Sequence, residues 1–207
     1  MIDLRFNPGG LMPQAVGTVD RFVDRGVIVS TVNRREAVRQ YLASAAGTNR
    51  NVKLVVLVNG ESASASEIVS GSLQDHGRAI VMGERTFGKG SVQNLIRLKE
   101  SAGAIKLTTA YYRLPKGRIV HRTRQNAATD EWGVIPDVKV ALTREEKAAV
   151  RAARRRLDNG KGSGGALPMD RQLDAAVKTL REALSTRANL SLGHTEDRRL
   201  RLVHALP

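Results

Sequence analysis

The sequence predicts an α/β fold built around a parallel sheet, and three consecutive segments carry that prediction. Apolar residues run almost without interruption from Lys53 to Asn59 and again from Arg78 to Gly83. Between these runs, Ala65 to Leu73 places its large apolar residues at helical spacing. Strands that are rich in Val and Leu throughout are typical of a parallel sheet covered on both faces. A strand–helix–strand unit of about 30 residues then implies a right-handed crossover between neighbouring parallel strands.

The residues before this unit predict a strand end, a turn, a helix and a second strand. Met1 to Arg5 is typical of the end of a strand, and Asn7-Pro8-Gly9-Gly10 is a turn sequence. Helical spacing from Leu11 to Phe22 predicts a helix, and Val27 to Val32 is a short β-branched run. Residues 34–46 are polar and are expected at the periphery. Because a strand opens at residue 1, we expect the chain to begin inside a domain.

The residues after Ser91 predict a pair of strands and then two helices. The strands, 92–98 and 105–113, flank a loop from Glu100 to Gly103, and a further short strand is predicted from Val138 to Ala141. Thr143-x-x-Glu146 fits a capping box, and its helix is expected to end near Leu157. A second helix is predicted after Met169-Asp170, with an apolar face made of Leu173, Ala176, Val177, Leu180 and Leu184.

These elements divide the chain into two parts. We expect a catalytic core over residues 1–143 and a C-terminal helical extension over residues 144–207. A Gly/Ser/Lys linker near residues 159–165 separates the two predicted helices. Residues 187–207 show no strong period and are expected to be poorly ordered.

Composition excludes several kinds of protein. The chain of 207 residues has no cysteine, so it has neither a disulfide framework nor a thiolate metal site. Its four histidines lack the spacing of metal ligands. No apolar run approaches the roughly 20 residues that span a bilayer. We therefore expect no metal, no cofactor and no membrane span.

The net charge of +14 leaves two interpretations open. A basic surface can bind nucleic acid or anionic lipid, or it can simply keep the protein soluble. The densest basic run, Arg151 with Arg154-Arg155-Arg156, has no aromatic residues interleaved with it. Stacking on single-stranded bases needs such aromatic residues. We therefore expect no specific nucleic-acid binding.

Ser64 stands where an apolar strand has ended and a helix is beginning. The first N–H groups of a helix are unpaired, so an oxyanion beside Ser64 can be held by the N–H of Ala65 and by the helix dipole. The same residues also fit a capping box, with Ser64 as N-cap and Glu67 three positions later, a role that needs no catalysis. The residues around Ser64 therefore leave open whether Ser64 is a nucleophile or a helix cap.

The position of Lys89 favours the interpretation of Ser64 as a nucleophile over its interpretation as a helix cap. Lys89 follows the next predicted parallel strand, so it can reach the edge of the sheet where Ser64 lies. A lysine amine in a dry pocket can be neutral and act as a base, and Ser–Lys pairs are a recognised catalytic arrangement. Gln93 lies four residues later and can orient the amine by hydrogen bonding. His76 is the natural alternative base, but about 18 Å of helix separates it from Ser64.

Residues 83–90 nearly match the nucleotide-binding P-loop, G-x-x-x-x-G-K-[ST]. Gly90 stands where the motif needs a hydroxyl for Mg²⁺. A P-loop must also open a helix, whereas residues 91–96 are typical of a strand. We therefore expect no bound nucleotide.

Several ordered motifs resemble those of the carboxy-terminal processing peptidases, also called tail-specific proteases. Three of them lie in the central stretch: Ser62-Ala63-Ser64-Ala65-Ser66-Glu67-Ile68, Gln74-Asp75-x-Gly77-Arg78-Ala79, and Gly83-Glu84-x-Thr86-Phe87-Gly88-Lys89-Gly90-x-Val92-Gln93. Three more flank it: Asp3-Leu4-Arg5-x-Asn7-Pro8-Gly9-Gly10, Tyr111-Tyr112-x-x-Pro115-x-Gly117-Arg118, and Gly133-Val134-x-Pro136-Asp137. The resemblance covers about residues 2–141 in unbroken order.

The resemblance implies a fold and a set of catalytic roles. The fold is the crotonase-like spiral of β-β-α turns, of which this chain holds a part. Ser64 is implied as the nucleophile, Lys89 as the general base and Gln93 as the residue that orients Lys89. The implied oxyanion hole is made by the backbone N–H groups of Ala65 and Gly10, with Gly9 as the alternative to Gly10.

The resemblance also implies a substrate and a compartment. Asp75 matches an aspartate with a supporting, structural role, and from its position we expect it to pair with Arg78. The implied activity is endoproteolysis of protein substrates selected by apolar C-terminal tails, without metal or nucleotide. Whether the protein forms a homo-oligomer stays open. The full-length protein is expected in the periplasm or cell envelope, whereas the chain as written has no signal peptide and is expected in the cytoplasm.

The chain departs from this family in its organisation. Family members carry an N-terminal region and a PDZ domain that reads the substrate tail, and neither is found here. The chain is therefore expected to be the C-terminal half of such an enzyme. Two functions stay open: a Ser–Lys peptidase, and a non-catalytic remnant that binds an acidic partner or another polyanion through its basic surface.

Overall fold

The computed structural model of this chain describes residues 1–35, 38–98, 103–129, 131–160 and 168–185. Within these ranges lie eight strands, four α-helices and a 3₁₀ turn. In chain order they are β1 (Ile2–Asp3), α1 (Met12–Asp20), β2 (Val27–Asn33), β3 (Val38–Leu42), β4 (Val55–Val58), α2 (Ala65–Asp75), β5 (Ile80–Gly83), β6 (Ser91–Arg97), β7 (Ala104–Arg113), a 3₁₀ turn (Asn126–Ala128), β8 (Val138–Lys139), α3 (Arg144–Asp158) and α4 (171–185).

Four strands form the predicted parallel sheet, in the order β1-β4-β5-β8. Val56 of β4 aligns with Ile2 of β1 on one side and with Val81 of β5 on the other. Helix α2 joins β4 to the parallel strand β5, as the strand–helix–strand pattern predicted. The α/β class is therefore confirmed.

A second sheet is antiparallel, in the order β3-β2-β7-β6. Strands β6 and β7 pair along their lengths, as the alternating pattern predicted, with an irregularity between Val92 and Gln93. The prediction for residues 34–46 missed strand β3, which pairs with β2 and is mostly exposed. The alternation of apolar and polar residues along β3 is weak, because a largely exposed strand buries few side chains on either face.

The parallel sheet is covered on both faces, which explains the unbroken apolar run of β4. Val56, Val58 and Val81 pack on one face with Ile68 and Leu73 of α2. Alternate residues point to the other face. There Val55, Leu57 and Met82 pack against α4 through Ala176, with Leu173 and Leu180 beside it. Helix α4 is therefore a layer of the core, and of its predicted apolar face only Leu184 is largely exposed, at 56%.

Helix α3 begins where the capping box predicted. Thr143 Oγ1 accepts a hydrogen bond from the N–H of Glu146, and the Glu146 carboxylate accepts one from the N–H of Thr143. The helix ends within a residue of the predicted position. Helix α1 is shorter than predicted, ending at Asp20 instead of Phe22. Residues 100–102 of the predicted loop, residues 161–165 of the predicted linker and the tail at 187–207 lie outside the described residues.

Candidate active site

Three loops leave the carboxyl edge of the parallel sheet side by side. Residues 4–10 follow β1, residues 59–64 follow β4, and residues 84–90 follow β5. The carboxyl ends of parallel strands meet at one edge, which is where α/β proteins bind ligands. The sequence-predicted site residues Gly10, Ser64 and Lys89 lie one on each loop.

The backbone of Ser64 has an unusual conformation, with φ 56° and ψ −116°. Apart from glycines, only Phe6 shares a positive φ among the described residues. Such a conformation strains a residue with a side chain, and it persists only where the surroundings enforce it. Although Ser64 and Glu67 have the capping-box arrangement, the Ser64 side chain makes no cap hydrogen bond. The N–H of Glu67 bonds instead to the Ser64 carbonyl oxygen at 2.9 Å.

The carboxylate of Glu67 joins the loop of Ser64 to the loop of Lys89. One oxygen, Oε2, accepts the backbone N–H of Ser64 at 2.9 Å and that of Lys89 at 2.7 Å. The other, Oε1, accepts the N–H of Gly88 at 2.7 Å and the hydroxyl of Thr86 at 2.5 Å. Because a single oxygen atom bridges Ser64 and Lys89, their backbones are held next to each other.

Glu67 itself is fully buried. Burial raises the pKa of its carboxyl group, and the hydrogen bonds from Thr86, Gly88, Lys89 and Ser64 partly offset that rise. All four contacts are made by donors, so the geometry suits the ionised carboxylate, which has only acceptors. Sequence reasoning assigned Glu67 to the helix cap alone. The signal for a larger role is that Glu67 is the one charged residue between Ser62 and Leu73.

The turn at residues 7–10 packs directly on Ser64. A Cβ atom added to Gly9, which has φ 102°, would lie 2.9 Å from Ser64 Cβ and 2.6 Å from the Ala63 carbonyl oxygen. Only glycine fits at this position. The turn is fixed to the Ser64 loop because the Asn7 carbonyl oxygen accepts the N–H of Ala63 at 3.1 Å and the hydroxyl of Ser66 at 3.0 Å.

Two backbone N–H groups near Ser64 remain available as donors. The N–H of Gly9 is occupied by Asn7 Oδ1 at 2.9 Å. Within the described ranges, the N–H groups of Gly10 and Ala65 have no hydrogen-bond partner. Both residues border a cavity of about 190 Å³ whose walls are largely small or apolar, including Leu4, Leu11, Ala15 and Val69.

Within the part of the chain that the structure describes, no hydrogen bond joins the side chain of Lys89 or Gln93 to Ser64. Both side chains are exposed, so the structure does not enclose the Lys89 amine in a dry pocket. The structure brings only the backbone of Lys89 to Ser64, through Glu67. Gln93 lies on β6, next to the irregularity that follows Val92. The loop at residues 84–90 leads into this strand and not into a helix, so it lacks the geometry of a P-loop.

Asp75 pairs with Arg118, and the expected pairing with Arg78 is wrong. The Asp75 carboxylate, 3% exposed, lies 3.0 Å from Arg118 Nη2 and accepts the N–H of Lys116 at 3.0 Å. Arg78 is directed instead to backbone carbonyl oxygens of Phe22, Asn49 and Val52. Asp75 therefore fastens the end of α2 to the turn after β7, a contact between segments that sequence spacing alone does not reveal.

His76 lies away from Ser64, and the structure adds no metal-ligand cluster within the described residues. His76 Nε2 lies 2.8 Å from the Val27 carbonyl oxygen, at the far end of α2 from Ser64. Across the described ranges, no three His, Asp or Glu side chains come together as metal ligands. None of the helices in those ranges has the length and apolarity that crossing a bilayer requires.

Comparison with known proteins assigns the family. Residues 1–140 match Peptidase family S41. The chain belongs to peptidase family S41. Outside this match lie all of α3 and all of α4, so the S41 region supplies every loop of the candidate active site.

The relatives of this S41 chain are longer proteins. The carboxy-terminal-processing protease of Bartonella bacilliformis is 39% identical over 199 residues, which cover 87% of this chain and 44% of that protein. The carboxyl-terminal-processing protease of Synechocystis sp. is 41% identical over 138 residues, covering 66% and 30%. Among solved structures, a photosystem II D1 C-terminal processing protease superposes with a TM-score of 0.61 at 33% identity, covering 78% of this chain and 38% of that one. The chain thus spans less than half the length of these relatives.

Proposed function

We propose that this chain carries the Ser–Lys site of a serine endopeptidase that cleaves protein substrates selected by their C-terminal tails. Ser64 is the nucleophile, Lys89 the general base and Gln93 the residue that orients Lys89. The N–H groups of Ala65 and Gly10 form the oxyanion hole, and Asp75 supports the end of α2. The observation that carries the proposal is the Glu67 oxygen shared by the N–H groups of Ser64 and Lys89.

The proposed reaction proceeds through an acyl-enzyme. The neutral amine of Lys89 takes the Ser64 hydroxyl proton as Oγ attacks the scissile carbonyl carbon. The resulting oxyanion accepts hydrogen bonds from Ala65 and Gly10, two donors that are unoccupied in the structure. As the C–N bond breaks, Lys89 returns the proton to the leaving amine. Water then attacks the ester, with Lys89 again taking and returning a proton, and Ser64 is regenerated.

Substrate binding completes the site in this mechanism. Lys89 is exposed in the structure. A substrate strand lying over residues 88–90 excludes water from the amine, and desolvation favours its neutral form. The cavity between Gly10 and Ala65 then takes a small or medium-sized apolar side chain of the substrate. This arrangement suits the processing of apolar tails.

Two wider features belong to the same proposal. The core forms part of a crotonase-like spiral, and the whole protein acts in the periplasm or cell envelope. Both features are inferred from the membership in family S41 and from the names of the relatives, and both go beyond them. An experimental structure of the full-length protein without repeated β-β-α turns contradicts the first. Recovery of the protein only from the cytosol after cell fractionation contradicts the second.

Cleavage assays with three variants test the proposal. We expect the full-length protein to cut a reporter protein with an apolar C-terminal tail, and Ser64→Ala and Lys89→Ala to lose that activity by about a thousandfold. Lys53→Ala, which removes an exposed lysine outside the site, is the control and retains activity. Unchanged cleavage by either site variant contradicts the mechanism.

The second candidate is a non-catalytic chain that binds acidic partners. The exposure of Lys89 and the basic face of α3 favour it. It predicts intact folding, no cleavage by the wild-type protein and binding to heparin that weakens with salt. Cleavage that depends on Ser64 excludes it.

A further inference from the structure

The first turn of α4 reaches the carboxyl edge of the parallel sheet and contacts Arg5 there. Arg5 Nη1 donates to Asp170 Oδ1 at 2.8 Å and to Gln172 Oε1 at 3.2 Å. Its Nε and Nη2 bond the two carboxylate oxygens of Asp3 at 3.0 and 2.8 Å. The side chains of Arg5 and Asp170 are only 4% and 10% exposed. Helix α4 therefore supplies two of the acceptors that hold a buried guanidinium.

The same two residues connect α4 to other strand ends. Gln172 Nε2 donates to the Val140 carbonyl oxygen, just after β8, at 2.6 Å. A Cβ atom added to Gly83, at the end of β5, would lie 3.4 Å from that nitrogen. Asp170 Oδ1 also accepts the N–H of Leu173 at 3.1 Å, which caps α4. These contacts lie along the edge from which the three candidate catalytic loops emerge.

Arg5 immediately precedes the strained part of the turn that contains Gly10. Phe6 has φ 61°, and its N–H donates to Asn59 Oδ1 at 3.0 Å. A bulky residue at positive φ stays there only when its neighbours fix it on both sides. Asn7 is fixed on one side by Ala63 and Ser66, as described above. On the other side, the N–H of Asn7 donates to the Leu4 carbonyl oxygen at 3.2 Å, and the next residue, Arg5, is held by Asp170 and Gln172. We expect that loosening Arg5 lets the turn relax and displaces Gly10.

We propose that Asp170, assisted by Gln172, is a positioning residue for the peptidase reaction. By holding Arg5 it keeps the Gly10 N–H where the oxyanion forms. The inference rests on the proposed function of Ser64 and Gly10. Both positioning residues lie beyond residues 1–140, so the C-terminal helices contribute to the site from outside the S41 match.

The substitution Asp170→Asn isolates this role. Asparagine is as good an N-cap as aspartate, so α4 keeps its cap while Arg5 loses the charged partner. Asp174→Asn is the matched control, because Asp174 lies one turn later on α4, is exposed and has no contact with Arg5 within the described residues. The assays are kcat and KM on an internally quenched peptide with an alanine-rich tail. Inhibition by acetyl-Ala-Ala-Ala aldehyde, whose adduct with Ser64 carries an oxyanion, is compared with inhibition by the corresponding alcohol.

We expect Asp170→Asn to lower kcat and weaken aldehyde inhibition about tenfold each, with KM and alcohol inhibition changed less than about twofold. Asp170→Glu, which keeps the charge, restores part of both losses. Gln172→Ala gives a smaller loss in the same direction and decides the question if Asp170→Asn does not fold. Unchanged kcat and aldehyde inhibition overturn the inference. So does an equal loss in Asp174→Asn, or equal weakening of aldehyde and alcohol.

The Ser64→Ala variant separates this inference from the function on which it rests. If Ser64→Ala still cleaves the peptide, the proposed function fails and the positioning role fails with it. If Ser64→Ala is inactive while Asp170→Asn matches the wild type in kcat and aldehyde inhibition, only the positioning role fails.

Discussion

Ser64 illustrates, at the scale of single residues, how neighbouring groups hold a strained backbone at a helix start. Its φ of 56° directs the chain from the end of β4 into α2, while its N–H is held by Glu67. L-residues with a side chain avoid this conformation, at a cost of about 1–3 kcal/mol. The cost is tolerated because Glu67 and Gly9 enclose Ser64 on two sides.

The strain at Ser64 predicts that glycine stabilises the fold there. We expect Ser64→Gly to raise the free energy of unfolding by about 1 kcal/mol relative to Ser64→Ala, because glycine adopts positive φ without a Cβ clash. Both variants lack the hydroxyl, so activity does not enter the comparison. Urea unfolding curves measure the difference, and equal or lower stability of the glycine variant contradicts strain at Ser64.

Glu67 predicts a second residue-scale effect. Glu67→Gln replaces one acceptor oxygen by an NH₂ donor, so two of the four donors around the carboxylate lose their partner. Leaving buried donors unpaired is expected to cost about 3 kcal/mol of unfolding free energy. Equilibrium urea unfolding at neutral pH measures this loss, and a change below about 1 kcal/mol argues against the described hydrogen bonds.

The difference in unfolding free energy between the wild type and Glu67→Gln depends on pH, and the direction of the Glu67 pKa shift gives the sign. Burial raises the pKa of Glu67 above its ordinary value of 4.5, so the folded chain binds the proton more tightly than the unfolded chain. The stability contributed by this group is fully present below the ordinary pKa and is lost as the pH rises through the raised one. The stability gap between wild type and Glu67→Gln therefore shrinks as the pH rises. A gap that widens contradicts a raised pKa.

At the scale of elements, α2 is shaped by the residues that pack on it. Its central glycine, Gly71, is buried, and a Cβ atom there would lie 2.4 Å from Leu114 Cδ1 and 3.1 Å from Val134 Cγ2. Leu114 is itself 1% exposed, so it has little room to move. Glycine disfavours a helix interior, so its presence at this position reflects close packing.

Two glycine-to-alanine substitutions separate packing from helix propensity. Gly71→Ala is expected to cost about 2 kcal/mol of unfolding free energy, because overpacking outweighs the better propensity of alanine. Gly17→Ala in α1, where nothing lies within 4 Å of the added Cβ, is the matched control and is expected to stabilise by about 0.5 kcal/mol. Chemical unfolding measures both. Stabilisation by Gly71→Ala contradicts the packing of α2 described here.

The elements also show how far the sequence predicts this fold. Strands β4 and β5 and helices α2 and α3 were predictable because apolar period and capping residues are local signals. The pairing of Asp75 with Arg118 and the contact of Arg5 with Asp170 were not, because each joins segments far apart in the chain. The spacing of apolar residues also does not show which loops meet at the edge of the sheet. The position of Glu67 between the loops of Ser64 and Lys89 could therefore be found only from the structure.

At the scale of the whole molecule, α4 completes the core. It covers the face of the parallel sheet opposite α2, and Ala176 is fully buried at the centre of that contact. The small side chain at this position lets the helix approach Val55, Leu57 and Met82. Residues beyond the S41 match therefore stabilise the sheet that carries the candidate active site.

The role of α4 predicts the effect of a buried charge at its centre. Ala176→Asp is expected to lower the free energy of unfolding by about 4 kcal/mol and to speed amide hydrogen exchange in β4, because an unpaired carboxylate enters the core. Ala152→Asp, on an exposed position of α3, is the control and is expected to change stability by less than about 0.5 kcal/mol. Equal behaviour of the two variants contradicts the packing of α4 on the sheet.

Covalent labelling tests whether Ser64 is a nucleophile activated by Lys89. The full-length protein is treated with a biotinylated fluorophosphonate, and the labelled peptide is identified by mass spectrometry. We expect one adduct, on Ser64, that forms at least about a hundredfold more slowly in Lys89→Ala than in the wild type or in Lys53→Ala. Labelling at another serine contradicts Ser64 as the nucleophile, and equal rates with and without the Lys89 amine contradict its activation by Lys89.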